Sequence, residues 1–236
     1  MHALVGIVRA ACFNVFYRNH SQWDKFAVSS YPIQLEVSGP LAMYARPDTG
    51  GSPTSYPVPT WSAAKGLLES IAYLAQGEAW FHPTRVEICR PVGSIGGAVS
   101  FQRYAFNYGG PLRKDLNIKT GTGMQVFATA VANPCYRIYA DIRGARGGSG
   151  RNPRHYLQNL FERRLKQGRC FKTPALGWSE FTCDYWGPFR PEWEVDDALD
   201  LEIPSMLSSV WDRAQDGAYV SRFAHDVRIE KGALVF

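Results

Sequence analysis

The chain has 236 residues, 45% of them hydrophobic and 14% aromatic, a composition typical of an ordered globular protein with a sizeable core. It carries 26 Lys and Arg against 21 Asp and Glu, a formal net charge of +5 that favours an acidic partner. No apolar run approaches the roughly 18 residues that cross a bilayer, and the opening apolar stretch contains Arg9, so we expect neither a membrane span nor a signal peptide.

The N-terminal part of the chain contains a predicted extension, a strand and a helix. Residues 1–30 differ from the rest and are interpreted as an N-terminal extension. Ile33–Val37 alternates apolar and polar residues, which indicates a half-buried strand. Thr60 can cap a helix, in which Gly66 is typical of a close approach by another backbone. The apolar residues on one side of this helix are Ala64, Leu67, Leu68 and Ile71.

A second predicted strand, Val86–Arg90, precedes a long glycine-rich stretch at residues 93–123, interpreted as a hairpin. Its aromatic residues can stack on bases while its cations bind phosphates, which suits single-stranded RNA. An ordinary hairpin with aromatic cross-strand pairs explains the pattern equally well, so both interpretations stay open. Strands are predicted again at 124–131 and 136–142. The cations of the hairpin are Arg103, Arg113, Lys114 and Lys119.

A second helix is predicted from Pro153 to Gly168, because Asn152 is a suitable N-cap and glycine commonly follows a helix. Its first turn contains Arg154 and His155, where unpaired backbone N–H groups favour an anion. The residues expected to pack inward are Leu157, Leu160, Phe161 and Leu165. The residues expected to face away are Arg154, Gln158, Glu162, Arg163 and Lys166.

Basic residues dominate the segment around this helix, and between positions 143 and 172 the only acid is Glu162. Such a local excess is typical of phosphate binding, although a solvated helix face is the alternative. The basic residues are Arg143, Arg146, Arg151, Arg154, Arg163, Arg164, Lys166, Arg169 and Lys172.

The order of elements over residues 31–172 is strand, helix, strand, hairpin, strand and helix. This order predicts an α+β fold of the ferredoxin-like type, as in RNA-recognition and RAMP domains, with an antiparallel sheet and helices on one face. Residues 173–236 are predicted to form a small β-rich C-terminal region whose last strand is Val227–Glu230.

The cysteines show no paired spacing and no metal-ligand spacing with histidine, so we expect reduced thiols in a cytoplasmic protein. No phosphate-loop or dinucleotide fingerprint is present, and the sequence predicts neither a metal nor a cofactor. The cysteines are Cys12, Cys89, Cys135, Cys170 and Cys183.

RNA can be cleaved without metal because its own 2′-hydroxyl attacks the adjacent phosphate. A protein then needs only a proton carrier and a cation at the phosphorus centre. A histidine titrates near neutral pH and an arginine can hold the nonbridging oxygens, so His155 and Arg154 suit these roles. His155 as a simple phosphate ligand or turn cap is the alternative.

Three stretches resemble one family. They are residues 54–71, residues 154–156 with 161–168, and residues 174–181. Together they resemble the Cas5 family of RAMP subunits in the type I CRISPR surveillance complex, Cascade, and most closely the type I-C subgroup. The resemblance covers about residues 32–181 and thins toward the C-terminus.

The resemblance implies a subunit that binds the 5′ handle of the guide RNA and cuts precursor repeat RNA without metal, leaving a cyclic phosphate. It implies a catalytic tyrosine, lysine and histidine. The histidine falls on His155 and the lysine on Arg154, which stays protonated. The tyrosine falls near Ala72, with Tyr73 one residue along.

The partners implied are guide and precursor RNA, the backbone and large Cascade subunits, and target DNA in the assembled complex. A noncatalytic guide-RNA scaffold and an RNA-binding domain unrelated to CRISPR are the alternatives. The candidate RNA-binding residues are Arg151, Arg163, Arg164, Lys166, Arg103, Arg113, Lys114, Lys119, Tyr56 and Lys65.

Overall fold

The computed structural model describes residues 31–75, 78–108, 124–144, 152–210 and 220–236. The predicted extension at 1–30 lies outside these ranges. From Tyr31 to Phe236 the chain forms one compact unit, whose described residues contain two sheets and two helices. The helices are α1 (Trp61–Ile71) and α2 (Pro153–Lys166).

All pairings between the named strands of the described residues are antiparallel. In chain order they are β1 (Ile33–Ser38), β2 (Leu41–Ala42), β3 (Ala79–Pro91), β4 (Phe101–Tyr108), β5 (Met124–Ala132), β6 (Cys135–Gly144), β7 (Tyr185–Gly187), β8 (Trp193–Val195), β9 (Leu201–Ser209), β10 (Arg222–Glu230) and β11 (Ala233–Val235).

The larger sheet has the order β7-β1-β6-β3-β11-β10-β9, with β8 paired to β3, and the smaller sheet has the order β2-β5-β4. This mostly antiparallel architecture with few helices confirms the coarse prediction of an α+β fold built on an antiparallel sheet. Strands from before and after residue 172 pair within the larger sheet. The predicted boundary between 31–172 and 173–236 stays a prediction.

Helix α1 begins where the sequence predicts it, because the hydroxyl of Thr60 accepts a hydrogen bond from the backbone N–H of Ala63 at 3.2 Å. The predicted apolar side is buried. The expectation for Gly66 is wrong: among the described residues, a Cβ at this position would meet no atom of another segment within 4 Å, so no backbone of these residues approaches it.

Helix α2 also has the predicted ends. The side chain of Asn152 accepts from the backbone N–H of Arg154 at 3.1 Å, and Gly168 has a φ of 62°, the left-handed conformation that glycine tolerates. The helix packs against β3 and β6, with the rings of Phe161 and Phe81 5.4 Å apart. This packing holds the first turn of α2 at one end of the larger sheet.

The hairpin of β4 and β5 packs one face against the segment that contains Trp178 and Phe181. Tyr104 contacts Phe181 and Phe106 contacts Trp178, with ring centroids 4.9 and 5.2 Å apart. These two contacts favour a structural interpretation of Tyr104 and Phe106, although their partners lie outside the hairpin. The predicted cations Arg113, Lys114 and Lys119 lie outside the described residues.

A buried carboxylate ties β1 to its neighbours. Glu36 on β1 accepts from the Nε of Arg137 on β6 at 3.2 Å and from the Nε of Arg190, beyond β7, at 2.6 Å. The backbone N–H of Arg190 donates to the same carboxylate at 3.1 Å. Burial alone would lower the pKa of Arg190, but its bonds to Glu36 outweigh this and raise it.

No helix in the described ranges is both long enough and apolar enough to cross a membrane.

Candidate functional site

His155 lies exposed in the first turn of α2, and its Nε2 is 3.1 Å from the Nδ2 of Asn159, one turn along the helix. An amide side chain offers both a donor and an acceptor. Nδ2 of Asn159 can therefore donate a hydrogen bond to Nε2 of the neutral ring. After an amide flip, Oδ1 of Asn159 can accept one from the Nε2–H of the protonated ring. The pair therefore places the ring beside an amide that can act as donor or acceptor.

Tyr31 is the residue that sequence reasoning missed. Its ring centroid is 6.4 Å from that of His155, and its hydroxyl accepts from the Nδ2 of Asn152, the N-cap of α2, at 2.9 Å. Its backbone N–H donates to Asp141 Oδ1 at 2.7 Å. Because Tyr31 and Asn152 are 121 positions apart, no local pattern indicates their contact.

Arg154 lies beside the same tyrosine but is buried, with only 9% of its surface exposed. Its Cζ is 5.3 Å from the centroid of the Tyr31 ring, and its Nε has no hydrogen-bond partner among the described residues. The expected outward orientation is wrong, because positions 154, 157 and 161 share one face of a helix, and Leu157 and Phe161 belong to the core.

Tyr73 lies beside the C-terminal end of α2, away from His155 in the first turn. Its ring pairs with that of Phe171 at 5.9 Å, close to where Arg164 Nη1 donates to the carbonyl of Ile71 at 2.7 Å. Positions 155 and 164 of α2 are about 14 Å apart along the helix axis. These contacts do not support the predicted catalytic role of Tyr73, which remains untested.

The basic surface of α2 divides into packed and exposed residues. Arg164 is half-buried and held by Ile71, so its guanidinium joins the two helices. Four cations are exposed and form no ion pair with any carboxylate in the described part of the chain. They are Arg163, Lys166, Arg169 and Lys172.

Two grooves follow this surface and share Arg163 and Gln167. The larger, about 550 Å³, is lined by Leu160, Arg163, Arg164, Gln167, Arg169 and Cys170. The smaller, about 340 Å³, is lined by Asn159, Glu162, Arg163, Lys166 and Gln167. Because Asn159 also contacts His155, the grooves lead from the first turn of α2 to its C-terminal end.

Two other predicted RNA-binding residues, Tyr56 and Lys65, make contacts within the protein. Tyr56 is buried, and its hydroxyl accepts from the N–H of Leu207 at 3.1 Å and donates to the carbonyl of Ser205 at 3.2 Å. Its ring is therefore closed to a base, which corrects that prediction. Lys65 Nζ lies 3.9 Å from the carboxylate of Glu69 and 5.3 Å from the ring centroid of Trp61, so its ammonium is already engaged.

Arg103 and Arg151 complete the predicted set. Arg103 is exposed on β4, with its Cζ 4.3 Å from the ring centroid of Phe127 on β5, so a cation and an aromatic face are presented together. Arg151 lies outside the described residues.

Strong pKa shifts occur in the core of the described part of the chain. Burial raises the pKa of the Cys183 thiol to about 12 and raises the pKa of the Tyr136 hydroxyl. The Cys135 thiol, hydrogen-bonded to Cys89, also has a raised pKa. These thiols stay protonated at neutral pH, which fits structural cysteines. Within the described ranges, no three His, Cys, Asp or Glu side chains meet as a metal site.

Comparison with known proteins gives matches over most of the chain. The family model Cas5d, described as CRISPR-associated protein (Cas_Cas5), matches residues 33–208. A CRISPR pre-crRNA endoribonuclease Cas5d of Thermus thermophilus is 31% identical over 176 residues, covering 74% of this chain and 71% of that protein. A protein of the same name from Mannheimia succiniciproducens is 25% identical over 212 residues, covering 85% of this chain and 86% of that protein.

The fold resembles a crystal structure of a CRISPR-associated protein with a TM-score of 0.58 and 16% identity, covering 87% of this chain and 91% of the other. At that identity the likeness concerns the fold alone.

Proposed function

Since the chain belongs to the CRISPR-associated Cas5 family, matching its Cas5d model over residues 33–208, we propose that it processes precursor CRISPR RNA. It then stays on the 5′ handle of the guide RNA as a subunit of Cascade, beside the backbone and large subunits and near target DNA. The observation that carries the proposal is the exposed pair of His155 and Asn159 at the start of a basic helix surface. Two relatives named as pre-crRNA endoribonucleases support it.

The finer fold proposal is a ferredoxin-like RAMP unit. Along the chain β1, α1, β3, β6, α2 and β7 follow the βαββαβ pattern. In the sheet these strands are adjacent in the order β7-β1-β6-β3. The pairing of the first strand with both the third and the fourth supports this assignment.

The proposed reaction is transesterification of the RNA backbone. The 2′-oxygen bonds to phosphorus and the bond from phosphorus to the 5′-oxygen breaks. Neutral His155 takes the proton of the 2′-hydroxyl, and the departing 5′-oxygen takes a proton from water. The products are a 2′,3′-cyclic phosphate and a 5′-hydroxyl, and the imidazolium returns its proton to solvent.

Arg154 and Tyr31 would position this site. The guanidinium of Arg154 supplies permanent positive charge at the base of the first turn, and its Nε is a donor that no described residue satisfies. Tyr31 contacts Arg154, His155 and the cap of α2 together. It therefore orders the three groups against the end of the larger sheet.

The test is cleavage of the chain's own repeat RNA in EDTA. We expect the wild-type protein to cut at one position and His155→Ala to cut about 10²- to 10⁴-fold more slowly, the usual contribution of a proton carrier. The matched control is His225→Ala, since His225 is exposed on β10, and it should cut normally. Intact RNA with the wild type overturns the enzymatic proposal, and normal cleavage by His155→Ala overturns the assignment.

The second candidate function is a noncatalytic guide-RNA scaffold. The separation of Tyr73 from His155 and the burial of Arg154 favour it, because the three groups implied by the family do not meet. A scaffold would bind repeat RNA in EDTA with a preference over a scrambled hairpin and leave it intact.

A further inference from the structure

Building on the proposed RNA-processing function, we propose that the RNA strand at His155 continues along α2 and that one of its bases stacks on Tyr73 and Phe171. These two rings, called the aromatic platform, lie beside the C-terminal end of α2. The platform assigns to Tyr73 a role in binding a base, separate from proton transfer.

The platform is exposed and held in place. Tyr73 is 45% exposed and Phe171 is 64% exposed, with ring centroids 5.9 Å apart and planes inclined by 34°. The backbone N–H groups of Phe171 and Lys172 both donate to the carbonyl of Ser70 at 2.8 Å. These bonds fix the segment after α2 to the end of α1, so the rings are presented on anchored backbone.

Charge indicates what the platform binds. The exposed cations Arg163 and Lys166 at the end of α2, and Arg169 and Lys172 in the segment after it, have no ion pair within the described ranges. Cations that hold a backbone next to aromatic faces that accept bases are the features of sites for single-stranded nucleic acid. A base within a duplex presents no free face, so the ligand is a single strand.

The two grooves of α2 supply the path. They join at Arg163 and Gln167, and Asn159 connects the smaller groove to His155. From His155 to its end at Lys166, helix α2 rises about 17 Å, which matches about five nucleotides at a stacked spacing of about 3.4 Å. A single strand bound at His155 can therefore reach the platform within a short segment of the repeat.

The test measures binding of a single-stranded repeat fragment in EDTA, with His155→Ala as the parent so that the RNA stays intact. The fragment carries 2-aminopurine at successive positions, because stacking on an aromatic ring quenches its fluorescence. We expect quenching at one position. We expect the added pair Tyr73→Ala and Phe171→Ala to abolish it and to weaken binding about tenfold.

Phe171→Trp and Phe171→Leu are matched single variants at the most exposed ring. We expect Trp to keep the quenching and the affinity, and Leu to lose both although it remains apolar. Because these variants change one exposed side chain, their thermal midpoints should equal that of the parent.

The outcomes separate the platform from the proposed function. If the parent binds the fragment and the double variant shows equal affinity and quenching, the platform is overturned while RNA binding stands. If the wild type, measured beside the parent, binds no repeat RNA, both fall. If the double variant binds RNA normally but no longer assembles with the other Cascade subunits, the platform is a protein contact and the proposal is overturned.

Discussion

His155 and Asn159 show how two neighbouring residues can support a proton transfer. They are four positions apart on α2, so their side chains lie on one face, and the amide reaches Nε2 at 3.1 Å. The ring is exposed, so RNA and solvent both have access to it. The amide is neutral and adds no charge to the imidazole, so its replacement by a carboxylate is an informative change.

We expect Asn159→Asp to move the rising limb of the pH–rate profile for RNA cleavage to higher pH. A carboxylate about 3 Å from the ring stabilises the imidazolium, and His155 must be neutral to take the 2′-hydroxyl proton. The measurement is the single-turnover cleavage rate in EDTA from pH 5 to 9. Asn159→Ala is the control, which should slow the reaction with a smaller displacement of the limb. Superimposable profiles for the wild type and Asn159→Asp would exclude contact between the two side chains.

At the scale of elements, β1 connects the site to the sheet. It lies between β6 and β7, and Glu36 within it is fully buried against Arg137 and Arg190. Tyr31 lies two residues before the start of β1. Because removing one member of a buried ion pair leaves the others uncompensated, this strand depends on all three charged groups.

We expect Glu36→Ala to lower the free energy of unfolding by about 3–5 kcal/mol, since two guanidinium groups would lose their buried carboxylate. Urea denaturation followed by circular dichroism measures the loss. Asp48→Ala is the control, because Asp48 pairs with Arg46 on the surface and its removal should leave the urea midpoint unchanged. Equal midpoints for the wild type and Glu36→Ala would show that the buried network does not stabilise the sheet.

At the scale of the whole molecule, the distribution of charge matters more than the net charge of +5. The exposed cations on and after α2 form no ion pair among the described residues, whereas Glu36 is bonded to both Arg137 and Arg190 inside the protein. Long-range attraction of RNA should therefore be concentrated on one surface. Its salt dependence counts the phosphates that this surface contacts.

We expect Arg163→Ala combined with Lys166→Ala to weaken repeat-RNA binding. The slope of log K against log salt should become smaller by about 1.4, the change expected when two phosphate contacts to a single strand are lost. The matched control is Arg222→Ala with Arg228→Ala, an equal loss of charge from exposed positions on β10. Affinities are measured by fluorescence anisotropy between 50 and 300 mM salt. An equal reduction in both double variants would mean that the RNA does not follow α2.

Much of the local structure could be predicted from short-range signals. Thr60 and Asn152 identify the beginnings of the two helices because each cap bonds a backbone N–H only two or three residues away. The alternation of apolar and polar residues in β1 is also a local signal, and it identifies a strand. The two half-buried rings Tyr104 and Phe106 were open to two interpretations, because their contacts lie with a loop more than 70 positions downstream.

The sequence by itself determined the family, both helices, several strand segments and a histidine at the start of a basic helix, since each depends on residues close together in the chain. Only the tertiary structure placed Tyr31 beside His155, buried Arg154, engaged Arg164 with α1 and paired Tyr73 with Phe171 at the opposite end of α2. Those placements depend on how α1, α2 and β1 pack. Packing joins residues about 100 positions apart, and no spacing along the chain encodes such contacts.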